Sequence, residues 1–329
     1  MAITLGQVAK LERNPLRKMV IMNLLRHAKV LDTMPFENVN SLSNVAVRVT
    51  NLPDVAWRNI NEDYTPSTGD VEQVYEGIYI FGGTFEADRI WKKVSGNMIK
   101  DPEQLQVDLF TEAMAYEMKD QFINGDHGTN RKAIQGLKKR IDNGPSRQKV
   151  RASSTTDILD PTASTANARL FLRKWNLAFD RAGGGVETPS AILCNEDLRT
   201  GLGAVLIYLS ASASGLLDTT KDQFDREIYT YKGVPIYDMG LKADQSTEII
   251  PKTETAEDGG ADATSAYFVP WSMEQGVYGI QLSNLEVEPG LATKSTSKTT
   301  LIEWAVGLAG FGSYGPTRLH NIENPDSWT

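Results

Sequence analysis

DPEQLQVDLFTEAMAYEMKDQFINGDHGTNRKAIQGL, residues 101–137, decides how this chain is read. Asp101 can cap a helix, Pro102 fits the first helical position where a missing N–H is no loss, and Gln104 completes a capping box. The pattern predicts a helix over about 102–123. Leu105, Leu109, Ala113 and Tyr116 form one apolar stripe, with Phe110, Met114 and Phe122 beside it. Asn124-Gly125 then supplies a left-handed stop. A turn-rich hook follows, shaped by Asn124, Gly125, Asp126 and Gly128, and it ends on the apolar anchor Leu137.

Composition limits what surrounds this helix. The 329 residues suffice for one large or two ordinary domains, and 40% apolar with 23% charged residues is globular rather than disordered. A net charge of -8 argues against a protein that grips nucleic acid through its phosphates. A locally basic stretch lies near the start, where Lys10, Arg13, Arg17, Lys18, Arg26 and Lys29 face Glu12 alone. These residues are either a solvated helix face or an arm that docks on an acidic neighbour. The single cysteine, Cys194, excludes an intrachain disulfide and lies in an apolar run that reads as a buried strand. No apolar run approaches the ~18–20 residues of a membrane span, and the charged N-terminus does not read as a secretory signal.

Residues 1–35 read as two helical pieces broken at Asn14-Pro15. The second is apolar over much of its girth, so either a second molecule or its own domain must cover it. From Val45 the period changes to two, and strand-like runs flank Thr65–Asp70, a turn composition. This predicts a long hairpin with little core-forming sequence near its tip. A helix over about 165–182 ends at Gly183-Gly184-Gly185. Residues 186–262 read as a compact α/β insertion: a strand at 190–194, a helix capped by Asn195, and strands near 227–230 and 234–237. The acidic run KTETAEDGGADATS (252–265) is expected to be an exposed, mobile loop. Alternating Tyr278, Ile280 and Leu282, then a strand and a glycine-broken turn, close the chain.

Motifs for chemistry are missing. His27, His127 and His320 lie far apart, with no His/Cys/Asp cluster at metal-ligand spacing. No GxSxG elbow, dinucleotide fingerprint or phosphate-binding loop occurs. The expectation is therefore no catalytic residue, no metal and no cofactor.

Several separated blocks resemble one family. AWRNINED (56–63), FINGDHGTNRKAIQGL (122–137), YKGVPIYDM (231–239), VYGIQLSNLEVEPG (277–290) and IEWAVGLAGFGSYGPTRLHNI (302–322) are similar, in order, to segments of tailed-bacteriophage major capsid proteins with the Hong Kong 97-type fold. The resemblance implies an α+β fold with an N-terminal arm (1–44) and an extended hairpin loop (45–92). A peripheral domain built on the spine helix would take 93–185 and 263–329, and an inserted axial domain 186–262. It implies a subunit that assembles with itself as hexamers and pentamers into an icosahedral phage head around double-stranded DNA, made in the host cytoplasm and resident in the virion capsid. Trp57, Arg58, Glu62 and Tyr64 of the loop, and Arg17, Lys18 and Arg26 of the arm, become candidate inter-subunit contacts. Separate scaffolding and portal proteins are implied partners, a decoration protein an optional one, packaged DNA a non-specific one and membrane none. An encapsulin-type nanocompartment subunit shares this fold and is the rival reading; a soluble α/β enzyme is the distant one. One departure stands out: the family's type member cross-links its shell through a loop lysine, and residues 45–91 contain none.

Overall fold

The computed structural model describes residues 3–88, 90, 102–153, 158–209, 217–221, 224–256, 262–291, 297–310, 315–324 and 326. Strand β1 (Ile3–Thr4) leads into α1 (Leu5–Leu11), where Thr4 and Gln7 form a reciprocal capping box. Asn14 then caps α2 (Pro15–His27), its Oδ1 accepting from the Leu16 N–H at 3.0 Å. The short α3 (Val30–Thr33) and β2 (Pro35–Asn38) complete the arm. The chain's own core covers α2: Val20, Ile21, Leu24 and Leu25 are buried.

Next come β3 (Ser43–Asn51), β4 (Asp70–Gly77) and β5 (Tyr79–Asp88). The long helix α4 (Pro102–Asn124) and α5 (Leu137–Asn143) follow. Then come β6 (Lys149–Arg151), α6 (Thr165–Arg181), β7 (Ala191–Cys194) and α7 (Glu196–Tyr208). β8 (Leu217–Lys221), β9 (Glu227–Tyr231), β10 (Val234–Asp238) and β11 (Ala263–Val269) lead to β12 (Tyr278–Gln281), β13 (Glu286–Leu291), β14 (Ser297–Ala309) and β15 (Thr317–Glu323).

These strands build two large sheets and a hairpin. The first sheet runs β1-β2-β12-β14, with β13 and β5 also pairing with β14. The second has seven strands in the order β6-β15-β11-β7-β10-β9-β8. β3 and β4 form a two-stranded sheet of their own.

Four expected boundaries move. Strand β5, expected in the extended loop, pairs along its whole length with β14 from Asp88–Ser297 to Tyr79–Val306, so the free hairpin spans 43–77. Its two strands flank residues 52–69, which form no strand, so the turn expected at 65–70 is only the end of a longer loop. The edges expected at 185/186 and 262/263 cut through the second sheet. β7 is buried at all four positions and needs a neighbour on each side. Parallel β10 supplies one and antiparallel β11 the other, and β15 and β6 continue the sheet beyond β11. Helix α6 packs on the same core through Phe171, Trp175 and Phe179, with Trp175 at 5.0 Å from the Phe268 ring.

Helix α4 has the expected length, but the stripe of Leu105, Leu109 and Ala113 faces out, whereas Met114 and Phe122, expected beside it, are buried. Val107, Thr111, Met114, Ala115, Met118, Phe122 and Ile123 are buried, while Leu105 and Leu109 are 40% and 50% exposed. Counting apolar residues missed this face because it includes Thr111 and Lys119. Burial lowers the Lys119 pKa to about 8, and its ammonium sits 4.7 Å from the Tyr116 ring. The Asp101 cap lies outside the described residues.

The hook after α4 is held by contact rather than by a left-handed residue: Gly125 is absent from the positive-φ positions. Its N–H continues the helical ladder to Gln121 O at 3.0 Å, and a Cβ there would sit 2.4 Å from both Gln121 O and Ile134 O. Gly136 returns against it, donating to Gly125 O at 2.8 Å. Asn124 Nδ2 donates to Asp120 and to Ile249 O, both at 2.7 Å. Asp126 Oδ1 accepts from Gly128 N at 2.9 Å; that N–H, with Lys139 at 3.2 Å, holds its carboxyl below the usual range.

Helix α5 is joined to the second sheet through a buried carboxylate. Glu254, in the segment expected to be exposed and mobile, has a side chain only 6% exposed. It accepts from Lys138 Nζ of α5 at 2.8 Å, from Arg318 Nη2 of β15 at 2.8 Å, and from the Ser265 hydroxyl of β11. Burial pushes the Glu254 pKa up, but the Arg318 and Lys138 charges outweigh it and the net shift is downward.

Two outcomes follow from this joint and hook. A lowered folded-state pKa stabilises above the ordinary value of 4.5, and that stabilisation is lost as pH falls through the folded value. Glu254→Gln should lower Tm at pH 7 and flatten the fall of Tm below pH ~4.5. A Tm deficit that stays constant down to strong acid would contradict the ion-pair account. For Gly136→Ala, an added Cβ 2.7 Å from Gly125 N and Ile123 O should destabilise by about 1–3 kcal/mol, read from urea denaturation.

Candidate assembly surfaces

The β3–β4 hairpin is anchored only at its root. Ile78 N donates to Leu42 O at 2.9 Å, and Val39 N to Gln281 O at 2.9 Å. Arg140 of α5 clamps Glu76 of β4 with two bonds, Nη1 to Oε1 at 2.5 Å and Nη2 to Oε2 at 2.8 Å. The same guanidinium donates to Leu308 O and, through Nε, to Gln135 O, each at 2.8 Å. This pair is largely buried, so removing either partner would strand a charge.

Beyond the root one face of the hairpin is bare, while on the other Val74 packs partly against Ile78, Tyr278 and Ile280. Val45 pairs with Tyr75 and Val49 with Val71, placing both pairs with Val47 on one face. All five are exposed, from 47% for Val49 to 66% for Val71. An isolated two-stranded ribbon with an uncovered apolar face is marginal in water. Arg48–Glu72 at 3.0 Å and Asn51–Asp70 at 3.3 Å add cross-strand support.

The tip, residues 52–69, is exposed throughout yet internally organised. Glu62 accepts from Asn59 N at 2.8 Å and from Asn59 Nδ2 at 3.3 Å, and these bonds lower its carboxyl pKa. Arg58 donates to Glu62 O at 3.2 Å and lies over the Tyr64 ring at 5.4 Å. Asn61 supplies the positive φ of 69° that the turn requires. Arg58, Glu62 and Tyr64 therefore shape the loop, and Trp57 projects from it wholly exposed, with Val55 and Ile60 beside it in sequence at 93% and 90%.

The arm candidates separate into used and unused charges. Arg17 pairs with Glu12 at 3.4 Å. Arg26 lies over Phe224 at 5.8 Å, and Arg226 lies over the same ring at 5.0 Å, which ties the arm to the β8–β9 connection. Lys18 stands exposed without a partner among the described residues. The structure thus brings Arg58, Glu62 and Tyr64 together, leaves Trp57 exposed on the same loop, and holds Arg17, Lys18 and Arg26 on the arm. Sequence reasoning missed Glu76 and Arg140, whose partners are 64 residues apart and carry no local signal.

Reactive groups are scattered or buried. His27 lies beside Glu112, His127 hydrogen-bonds Tyr79 Oη at 3.1 Å, and buried His320 contacts Asn321. Burial pushes the Cys194 thiol strongly up, away from a reactive thiolate. No group of three potential metal ligands exists among the described residues, and no helix there is long and apolar enough to cross a membrane.

Residues 15–177 match the family described as major capsid protein GP7. The fold is similar to the holo-SrpI encapsulin of Synechococcus elongatus PCC 7942, at 15% identity and TM-score 0.59, covering 90% of this chain and 88% of that one. It is also similar to a Mycobacterium phage Bobi chain (10% identity, TM-score 0.57, 89% of each chain). A native GTA particle capsid chain matches at 12% identity and TM-score 0.56, over 91% of this chain and 89% of that one. No curated protein matches in sequence.

Because Trp57 touches nothing that holds the fold, Trp57→Ala should leave the Tm of the isolated chain unchanged. It should weaken self-association by about 2 kcal/mol or more, the scale of a buried aromatic anchor, in sedimentation velocity. A lowered Tm with unaltered association would place Trp57 in the fold instead.

Proposed function

We propose, from the match of residues 15–177 to the major capsid protein family and from the fold shared with phage capsid chains, that this chain is a major capsid protein with the Hong Kong 97-type fold that assembles as hexamers and pentamers into the icosahedral head of a tailed phage around double-stranded DNA. The observation that carries this reading is the hairpin of residues 43–77, with an apolar face and an organised tip that its own chain leaves bare. A neighbouring subunit supplies the missing cover. Many modest contacts of this kind sum over a closed shell.

In this reading residues 1–44 are the arm and the hairpin is the extended loop. The first sheet with α4 is the peripheral body. The end of the second sheet, β8 to β10, faces the capsomer centre. The net charge of -8 keeps the wall from gripping packaged DNA through its phosphates. Scaffolding and portal proteins act as separate partners, and a decoration protein is an optional addition. Synthesis takes place in the host cytoplasm, with the virion capsid as the final location. The encapsulin reading draws support from the similar SrpI encapsulin structure, whereas the family match favours the phage head.

Electron microscopy tests the proposal: DNA-filled heads with tails from producing cells support it, and a persistent monomer overturns it. With no lysine in residues 45–91, mature particles should run as a single monomer band on a denaturing gel. A covalent ladder would refute the expectation of an uncross-linked shell.

A further inference from the structure

The arm carries a slot that the chain does not fill. Ile3, Val8, Leu11 and Phe36 line a cavity of about 170 Å³ between α1 and β2, with Asn38 and Gln281 among its polar margin. Leu11 is 75% exposed, and among the described residues nothing covers it. Glu12, also at the margin, is neutralised by Arg17 and by the N–H groups of Arg13 and Asn14. Lys10 and Arg13 flank Leu11 and Glu12 in sequence and Lys18 follows Arg17, the partner of Glu12; all three are exposed and form no ion pair among the described residues. The slot is apolar, and the arm sequence next to its lining residues is basic.

The hairpin tip has the opposite character. Residues 52–72 hold Asp54, Glu62, Asp63, Asp70 and Glu72 against Arg58 alone. Glu62, Asp70 and Glu72 are engaged within the hairpin, which leaves Asp54 and Asp63 as the other acidic residues of the loop that carries Trp57. A chain cannot bring its own tip to its own slot. Asn38, at the slot, lies just before the hairpin root, and the nine residues of β3 carry the tip ~30 Å away. The occupant has to come from a second copy.

We propose that the loop tip of one subunit seats Trp57 in the α1–β2 slot of a neighbour, with Asp54 and Asp63 facing Lys10, Arg13 and Lys18. This rests on the assembly reading and specifies which surface the hairpin meets. The indole supplies apolar area, and opposite charge selects this surface over other apolar patches. The contact makes the arm a receptor for the loop, so that each subunit is both donor and acceptor and the interaction propagates around a ring.

A charge swap tests it. Arg13→Glu with Lys18→Glu, and separately Asp54→Lys with Asp63→Lys, should each reduce the assembled fraction about tenfold in sedimentation. Combining all four substitutions should restore most of it. In a parallel arm, Leu11→Cys with Trp57→Cys should give disulfide-linked chains on a non-reducing gel of shells, and each single cysteine variant should not. Unchanged assembly of both charge variants, no restoration in the combination, or no inter-chain disulfide in intact shells would overturn the proposal. If a charge variant fails to fold by circular dichroism, the cysteine pair decides. Absence of shells from the unaltered protein would instead sink the assembly reading itself.

Discussion

The buried carboxylate of Glu254 is the constraint on which the arrangement of this molecule turns. Taking a carboxylate out of water costs several kcal/mol unless charges meet it. Lys138 and Arg318 meet it from different parts of the chain, and Ser265 adds a hydroxyl. Lys138 belongs to α5, and two residues on, Arg140 clamps Glu76 at the hairpin root. One helix of seven residues therefore orients both the second sheet and the hairpin. Its own position comes from the glycine contact between residues 125 and 136, which brings the chain straight back against the end of α4.

That chain of constraints explains why the long helix works as a beam. Its buried face packs into a core shared with the arm and the first sheet, and its C-terminal end carries the hook. Displacement at the hook would be transmitted to α5, and from there to hairpin and second sheet together. That rigidity suits the proposed role of a shell subunit. The hairpin, by contrast, is fixed at one end and free along its length, which suits an element completed by a neighbour.

Much of the local structure was legible in the residues. Asn14-Pro15 marked a helix start, Asn195 capped α7 through the Leu198 N–H, and the three glycines after α6 ended it with positive φ at Gly183 and Gly184. The hairpin's exposed tip followed from its poverty of core-forming residues. Readings failed where polar side chains entered a buried face. Thr111 and Lys119 hid the inward side of α4, and Glu254 made a buried joint look like a loop. Arg58, Glu62 and Tyr64 were singled out as contacts, and most of their visible interactions serve to build the loop that presents Trp57.

By itself the sequence determined the element order, the helix ends and the self-insufficiency of the hairpin, because capping, turn chemistry and hydrophobic period act over a few residues. Only the tertiary structure decided that β5 belongs to β14, that β7 takes neighbours from residues 234–238 and 263–269, and that Glu76 and Glu254 answer to one short helix. Strand partners and buried ion pairs join residues tens to hundreds of positions apart, and no local pattern encodes which distant group will satisfy a backbone edge or a charge.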